Sequence, residues 1–428
     1  MIGYEDCIKG LNDASRDIRL SSLRRLKEGM DQGKIPYPKK MGYINNHIHT
    51  TYSFSPYSPT KAIWMAFNAG LATAGIMDHD TISGAGEFIE AGRIMGIATT
   101  IGVECRVDFS NTPIGGRRIN NPDQDSIAYI ALHGIPHTQI QKVKDFFAPY
   151  TVERNKRNRA MTQNINRIFK PFGIELDFLG DIVPISQYRD GGSITERHLL
   201  FALSLKLVQA FGKGQGLVDF LIQKMGIEIK PSILKYLLDK DNIFYEYDLL
   251  GLLKSDLVEK IYIDATDECP DVREVIAFSK NIGAIPAYAY LGDVGDSVTG
   301  DKRTQKFEDD YLVLLFEVIK DLGFDAVTYM PTRNTMEQLT RVKDLCLEYD
   351  LFEVSGEDIN SPRQSFVCKA LENPIFENLF DSTWALIGHE IAATRDLSRG
   401  MFTRDTVEKY PNLQERIALY KKIGMEGR

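Results

Sequence analysis

Between residues 43 and 104 the chain repeats one pattern three times: a short apolar run ends on ionisable side chains, and a helical stretch or a loop follows. Residues 43–49 (YINNHIH) end in His47-Ile48-His49, residues 72–77 lead into Asp78-His79-Asp80, and residues 98–103 lead into Glu104. Helical spacing covers about 58–68, with Pro59 near the first turn and Gly70 as a stop, and again about 84–95. Strand followed by helix followed by strand calls for parallel strands covered by helices, an α/β architecture. In a barrel of this kind the C-terminal strand ends share one face, and that face carries the chemistry.

Residues i and i+2 of a strand point to the same side, so His47 and His49 converge on one point. Asp78, His79 and Glu104 arrive at the same face from the next two strands, and a fourth run, 126–132, delivers His133. Paired imidazoles at a strand end are a natural start for a metal site. Together with Glu104 and the late Asp358 they form a nitrogen and oxygen ligand set without thiolate, which suits Zn²⁺, Mn²⁺ or Fe²⁺. Two such ions sharing a carboxylate would clamp a phosphoryl oxygen and activate a water. Asp78, His79 and Glu104 are the candidate catalytic groups, and His137 and His389 are read as structural.

Around this core the pattern changes. Residues 5–33 carry Leu11, Ile18, Leu20, Leu23 and Leu26 at helical spacing until Pro36 and Pro38, an amphipathic extension for the main body or for a second subunit. From about 151 to 265 the chain reads as a helical insertion that covers the pocket. Its first stretch has no acidic residue between 154 and 170, and Arg154 and Arg157 share a helix face suited to phosphate. Arg197, beside His198, is a further phosphate candidate. Strand and helix then alternate again, through 284–290, 326–329 and 352–355, to Gly356-Glu357-Asp358, and residues from 373 onward read as helical and polar. The expected segments are 1–40, 41–150, 151–265, 266–370 and 371–428. A net charge of −8 argues against coating nucleic acid. There is no apolar run of about 18 residues to span a membrane. Five scattered cysteines without Cys-x-x-Cys or an apolar leader point to a reducing cytoplasm.

His47-Ile48-His49-Thr50, Met77-Asp78-His79-Asp80, Gly102-Val103-Glu104, His133-Gly134 and Gly356-Glu357-Asp358 resemble, in order and spacing, the successive motifs of the PHP (polymerase and histidinol phosphatase) superfamily. Thr195-Glu196-Arg197-His198 is similar to its internal His motif, and the Arg-rich helix with its insertion resembles the branch of nucleotide phosphatases and 5′-end exonucleases. The resemblance spans about 43–365. It implies a distorted (β/α)₇ TIM-like barrel that hydrolyses phosphoesters of small metabolites, nucleotides or short nucleic-acid ends. It also implies that His47, His49, Glu104 and Asp358 hold one divalent ion, that Glu104 bridges to a second held by His133 and His198, and that His79 matches a ligand of a third. Three positions depart from the pattern. Phe54 and Asn360 stand where the third site would have ligands, which leaves a two-metal core with His79 free to act as a general acid or phosphate contact. Tyr290 stands where the pattern has His, as a hydrogen-bond donor to substrate. Metal-dependent hydrolysis of a C–N bond and a non-catalytic metal-binding regulatory module are the alternatives.

Overall fold

The structure is a computed structural model that describes residues 3–293 and 306–427. These residues fall into two compact units, one built from 3–148, 269–293 and 306–427, the other from 149–268. In the first unit, strands β1 (Tyr43–Ile48), β2 (Leu71–His79), β3 (Ala98–Asp108), β4 (Ile127–His133), β5 (Ile285–Ala289), β6 (Ala326–Tyr329) and β7 (Phe352–Ser355) pair in sequence order. The expected all-parallel sheet is corrected here: β4 runs antiparallel to both β3 and β5, while the remaining neighbours are parallel. No helix lies between β3 and β4. A parallel step needs a crossover, so a chain without one returns beside itself in the opposite direction.

The sheet is curled and open. Just beyond the end of β7, one isolated parallel bridge joins Ile48 to Ile359, with His49 N donating to Ile359 O (3.0 Å) and Ile359 N donating to His47 O (3.1 Å). No full ladder links β1 to β7. Asn46, buried in β1, spans the gap with its side chain, donating to Ser355 O and to Thr383 Oγ1 (2.8 Å each).

The N-terminal extension forms two helices, Tyr4–Gly10 and Arg16–Asp31, in place of the single one expected. Asp13 accepts from Ser15 N (2.8 Å) in the break, the local side-chain turn that Asp favours over helix continuation. The extension lies on the first unit itself. Leu11, Leu20, Leu23 and Leu26 are buried, and Arg19 grips Glu87 with two nitrogens, Nε at 2.8 Å. Asn12 clasps the loop after β1, donating to Pro56 O (2.8 Å) and accepting from Ser58 N (2.9 Å).

The C-terminal helix Glu377–Arg395, expected to be polar, buries 12 of its 19 residues. Ala385 and Leu386 join Met77, Ala131, Ile285, Ala287 and Phe352 in one core. Its polar groups are buried with partners, as buried polar groups must be. Glu390 accepts from Thr100 Oγ1 and Ile101 N (2.8 Å each) and pairs with His137 Nε2 (2.7 Å). His389 Nε2 meets Gly283 O (2.9 Å), and its Nδ1 accepts from Met401 N (2.9 Å).

The second unit is helical, including Glu196–Phe211 and Tyr245–Ile261. Among the described residues no helix is long and apolar enough to cross a membrane.

Candidate metal centre

Strand β1 ends in the alternation that brings His47 and His49 together. Ile48 turns into the core, fully buried, and the two imidazoles turn the other way with their Nε2 atoms 3.2 Å apart. On the neighbouring pair of strands, His79 and Glu104 are register partners. Glu104 Oε2 lies 3.1 Å from His79 Nδ1 and 3.7 Å from both His47 Nε2 and His49 Nε2. The Ile48–Ile359 bridge brings in Asp358, whose Oδ1 sits 3.1 Å from His49 Nε2. Asn360 Nδ2 donates to that same oxygen (2.6 Å).

Donor atoms of His47, His49 and Glu104 all lie within 4.8 Å of one another. Two ligands about 2.1 Å from one ion in tetrahedral array stand roughly 3.4 Å apart, so the spacing fits a divalent cation. The electrostatics agree. Burial pushes the Glu104 carboxyl up, but His79, His47 and His49 outweigh it and hold the group down at about 2. For His47, burial is likewise overcome, by Glu104 and Asp358, and its pKa is raised.

His133 reaches this cluster by register, because β4 runs against the other strands. Val103 pairs with Leu132 and Glu104 with Ala131, so His133 and Glu104 share a sheet face. Burial, with His47 adding to it, lowers the His133 pKa to about 3, and its Nε2 is buried without a hydrogen-bond partner among the described residues. A neutral imidazole with a bare, buried nitrogen is the state a metal ligand requires.

Asp78 is buried and gathers the loop that follows His49. Its Oδ1 accepts from Thr50 N (2.7 Å) and Ser53 Oγ (2.6 Å), and its Oδ2 from Thr50 Oγ1 (2.6 Å). Burial raises its pKa against the pull of His49 and these hydrogen bonds. Ser53 Oγ also lies 3.2 Å from His49 Nδ1. Next to it, Phe54 is buried with a φ of 88°, in the left-handed region.

His198 belongs to the second unit, where Thr195 N donates to its Nδ1 (3.0 Å) and burial lowers its pKa to about 3. In that unit Arg154 and Arg157 both pair with buried Glu268, at 3.5 and 2.6 Å, and Arg157 also meets Glu196. Arg197 is half-buried there. Tyr290 Oη donates to Asp309 Oδ1 (2.6 Å). Sequence reasoning missed Thr50, Ser53 and Arg106. Arg106 is buried on β3 two residues beyond Glu104, opposite Tyr129, and so on the same sheet face. Simple alternation along β3 carried that signal.

No family model matches the chain, and no curated protein matches it. Among solved structures, it resembles a provisionally assigned metal-dependent phosphoesterase from Bifidobacterium adolescentis, with 18% identity and a TM-score of 0.50 over 78% of this chain and 96% of that one. It also aligns with an amidohydrolase from Chromobacterium violaceum, solved with bound sulfate and no metal, at 16% identity and a TM-score of 0.48 over 76% and 90% of the two chains. The first likeness is one of fold.

Proposed function

We propose that the chain is a metal-dependent hydrolase of the PHP type that cleaves phosphate esters of small metabolites or nucleotide ends, and that its curled sheet is a distorted (β/α)₇ barrel. The observation that carries this reading is the convergence of His47, His49 and Glu104, extended by Asp358 and by the unpartnered Nε2 of His133. Bound divalent ions would supply a water of lowered pKa and positive charge against the phosphoryl oxygens. We assign His47, His49, Glu104 and Asp358 to one ion, and Glu104 and His133 to a second. Phe54 and Asn360 leave a third site short of two ligands.

His79 is the most open imidazole of the cluster, a quarter exposed, with Nδ1 turned to Glu104. That exposure supports His79 as the group that hands a proton to the leaving oxygen. Arg106, on the Glu104 face of β3, favours a phosphate over a neutral amide, because a buried guanidinium pairs best with an anion. Arg154 and Arg157 already share Glu268, and Tyr290 already bonds Asp309, which counts against these three as substrate contacts. Five buried free cysteines fit the cytoplasm.

The test is phosphate release from a panel of phosphomonoesters and nucleotides, run beside a panel of amides, with Zn²⁺, Mn²⁺ or Fe²⁺ added. His47→Ala and Glu104→Ala are expected to drop phosphate release to background with folding intact by circular dichroism. Turnover of amides alone would overturn the assignment.

A further inference from the structure

We infer that Ser53, held by Asp78, sets the tautomer of His49, so that Nδ1 carries the proton and Nε2 presents its lone pair to the centre. The protons around Asp78 and Ser53 decide the tautomer. Asp78 Oδ1 takes Thr50 N–H and the Ser53 hydroxyl, while Oδ2 takes the Thr50 hydroxyl, whose oxygen accepts in turn from Tyr52 N (3.3 Å). Three donors thus converge on the two oxygens of one buried carboxyl group, a geometry in which it accepts every bond. A serine hydroxyl has one proton, and Ser53 spends it on Asp78 at 2.6 Å. Toward His49 Nδ1, 3.2 Å away, it has only lone pairs, so the imidazole must donate there.

The opposite nitrogen is then bare where it faces His47 Nε2 at 3.2 Å, Asp358 Oδ1 at 3.1 Å and Glu104 Oε2 at 3.7 Å. The loop is built to keep the hydroxyl in place. Ser53 N donates to Thr50 O (3.1 Å), Thr51 N donates to Tyr57 O (2.8 Å), and Phe54 turns the chain at once through the left-handed region. Ser53 and Asp78 are therefore positioning residues, each acting on the centre through His49. In its purpose the relay rests on the cation-site reading above; in its geometry it does not.

The experiment reads the two separately. Nitrogen NMR of ¹⁵N-histidine-labelled, metal-free protein at pH 7.5, with His49 assigned by comparison with His49→Gln, is expected to show a protonated Nδ1 and a bare Nε2. Ser53→Ala is expected to shift His49 to the other tautomer or to a mixture and to weaken Zn²⁺ binding about tenfold or more, while Ser53→Thr restores both. An Nε2-protonated His49 in the unsubstituted protein, the result if Asp78 donates to Ser53, would overturn the inference. So would a Ser53→Ala protein with unchanged tautomer and Zn²⁺ affinity. The spectrum of the unsubstituted protein decides the tautomer even where the variant folds poorly. Absence of phosphate release would count against the proposed activity and leave this reading standing.

Discussion

At the scale of single residues, Arg106 and His389 each carry a test: the first of the proposed phosphate contact, the second of buried support. Arg106 follows Glu104 by one strand repeat, and a charge-assisted contact to a phosphate is worth about 1.5–3 kcal/mol. Arg106→Ala is expected to raise KM for a phosphomonoester at least about tenfold, with a smaller fall in kcat. Arg106→Lys should lie between, since it keeps the charge and loses the fork. An unchanged KM in both would remove Arg106 from the site. For His389, burial holds the imidazole neutral, its pKa lowered to about 4, between Gly283 O and Met401 N. Folded, it binds fewer protons than the unfolded chain, where the value is about 6.5. Its contribution is complete above pH 6.5 and is lost as pH falls toward 4. The denaturation midpoint should therefore drop across that window, and His389→Gln, weaker at pH 7.5, should show a shallower drop. A slope unchanged in the variant would assign the effect to other histidines.

At the scale of elements, the N-terminal helices acquire a job through Asn12, which holds both the carbonyl of Pro56 and the amide of Ser58. The loop it clasps also carries Ser53. Asn12→Ala removes two hydrogen bonds, a loss of about 1–3 kcal/mol. A lower melting temperature, with faster proteolysis within residues 50–58, is the expected outcome; proteolysis confined to the first 15 residues would show that the clasp does not reach the loop. What the sequence disclosed at this scale follows from periodicity. His47, His49 and Glu104 were legible because alternation and strand ends are local properties. The direction of β4 was not, because direction depends on the connection and not on the strand. His133 was therefore put on the Glu104 face for the wrong reason. Asp358 was legible only through the order of motifs, since the bridge that seats it joins residues 311 positions apart (Ile48 and Ile359). The burial of Glu377–Arg395 was hidden because Thr383, His389 and Glu390 look like solvent-facing residues until their partners on other elements are known.

At the scale of the whole molecule, the helices Glu377–Arg395 and Leu413–Glu426 approach backbone to backbone at Gly388 and Gly424. A Cβ on Gly388 would lie 1.9 Å from Tyr420 O, and one on Gly424 would lie 2.1 Å from Trp384 O. The neighbour in each case is backbone, so the helices must part. Gly388→Ala is expected to destabilise the protein by about 1–3 kcal/mol or more, read as a fall in the chemical denaturation midpoint. A neutral effect would mean that the helices Glu377–Arg395 and Leu413–Glu426 can slide apart freely. The single bridge from Ile48 to Ile359 has a consequence in time. During synthesis His47, His49 and Glu104 emerge first, and the residue that seats Asp358 leaves the ribosome some 250 residues after Glu104. Through that interval the proposed ligand set lacks Asp358, which the segment just beyond β7 supplies.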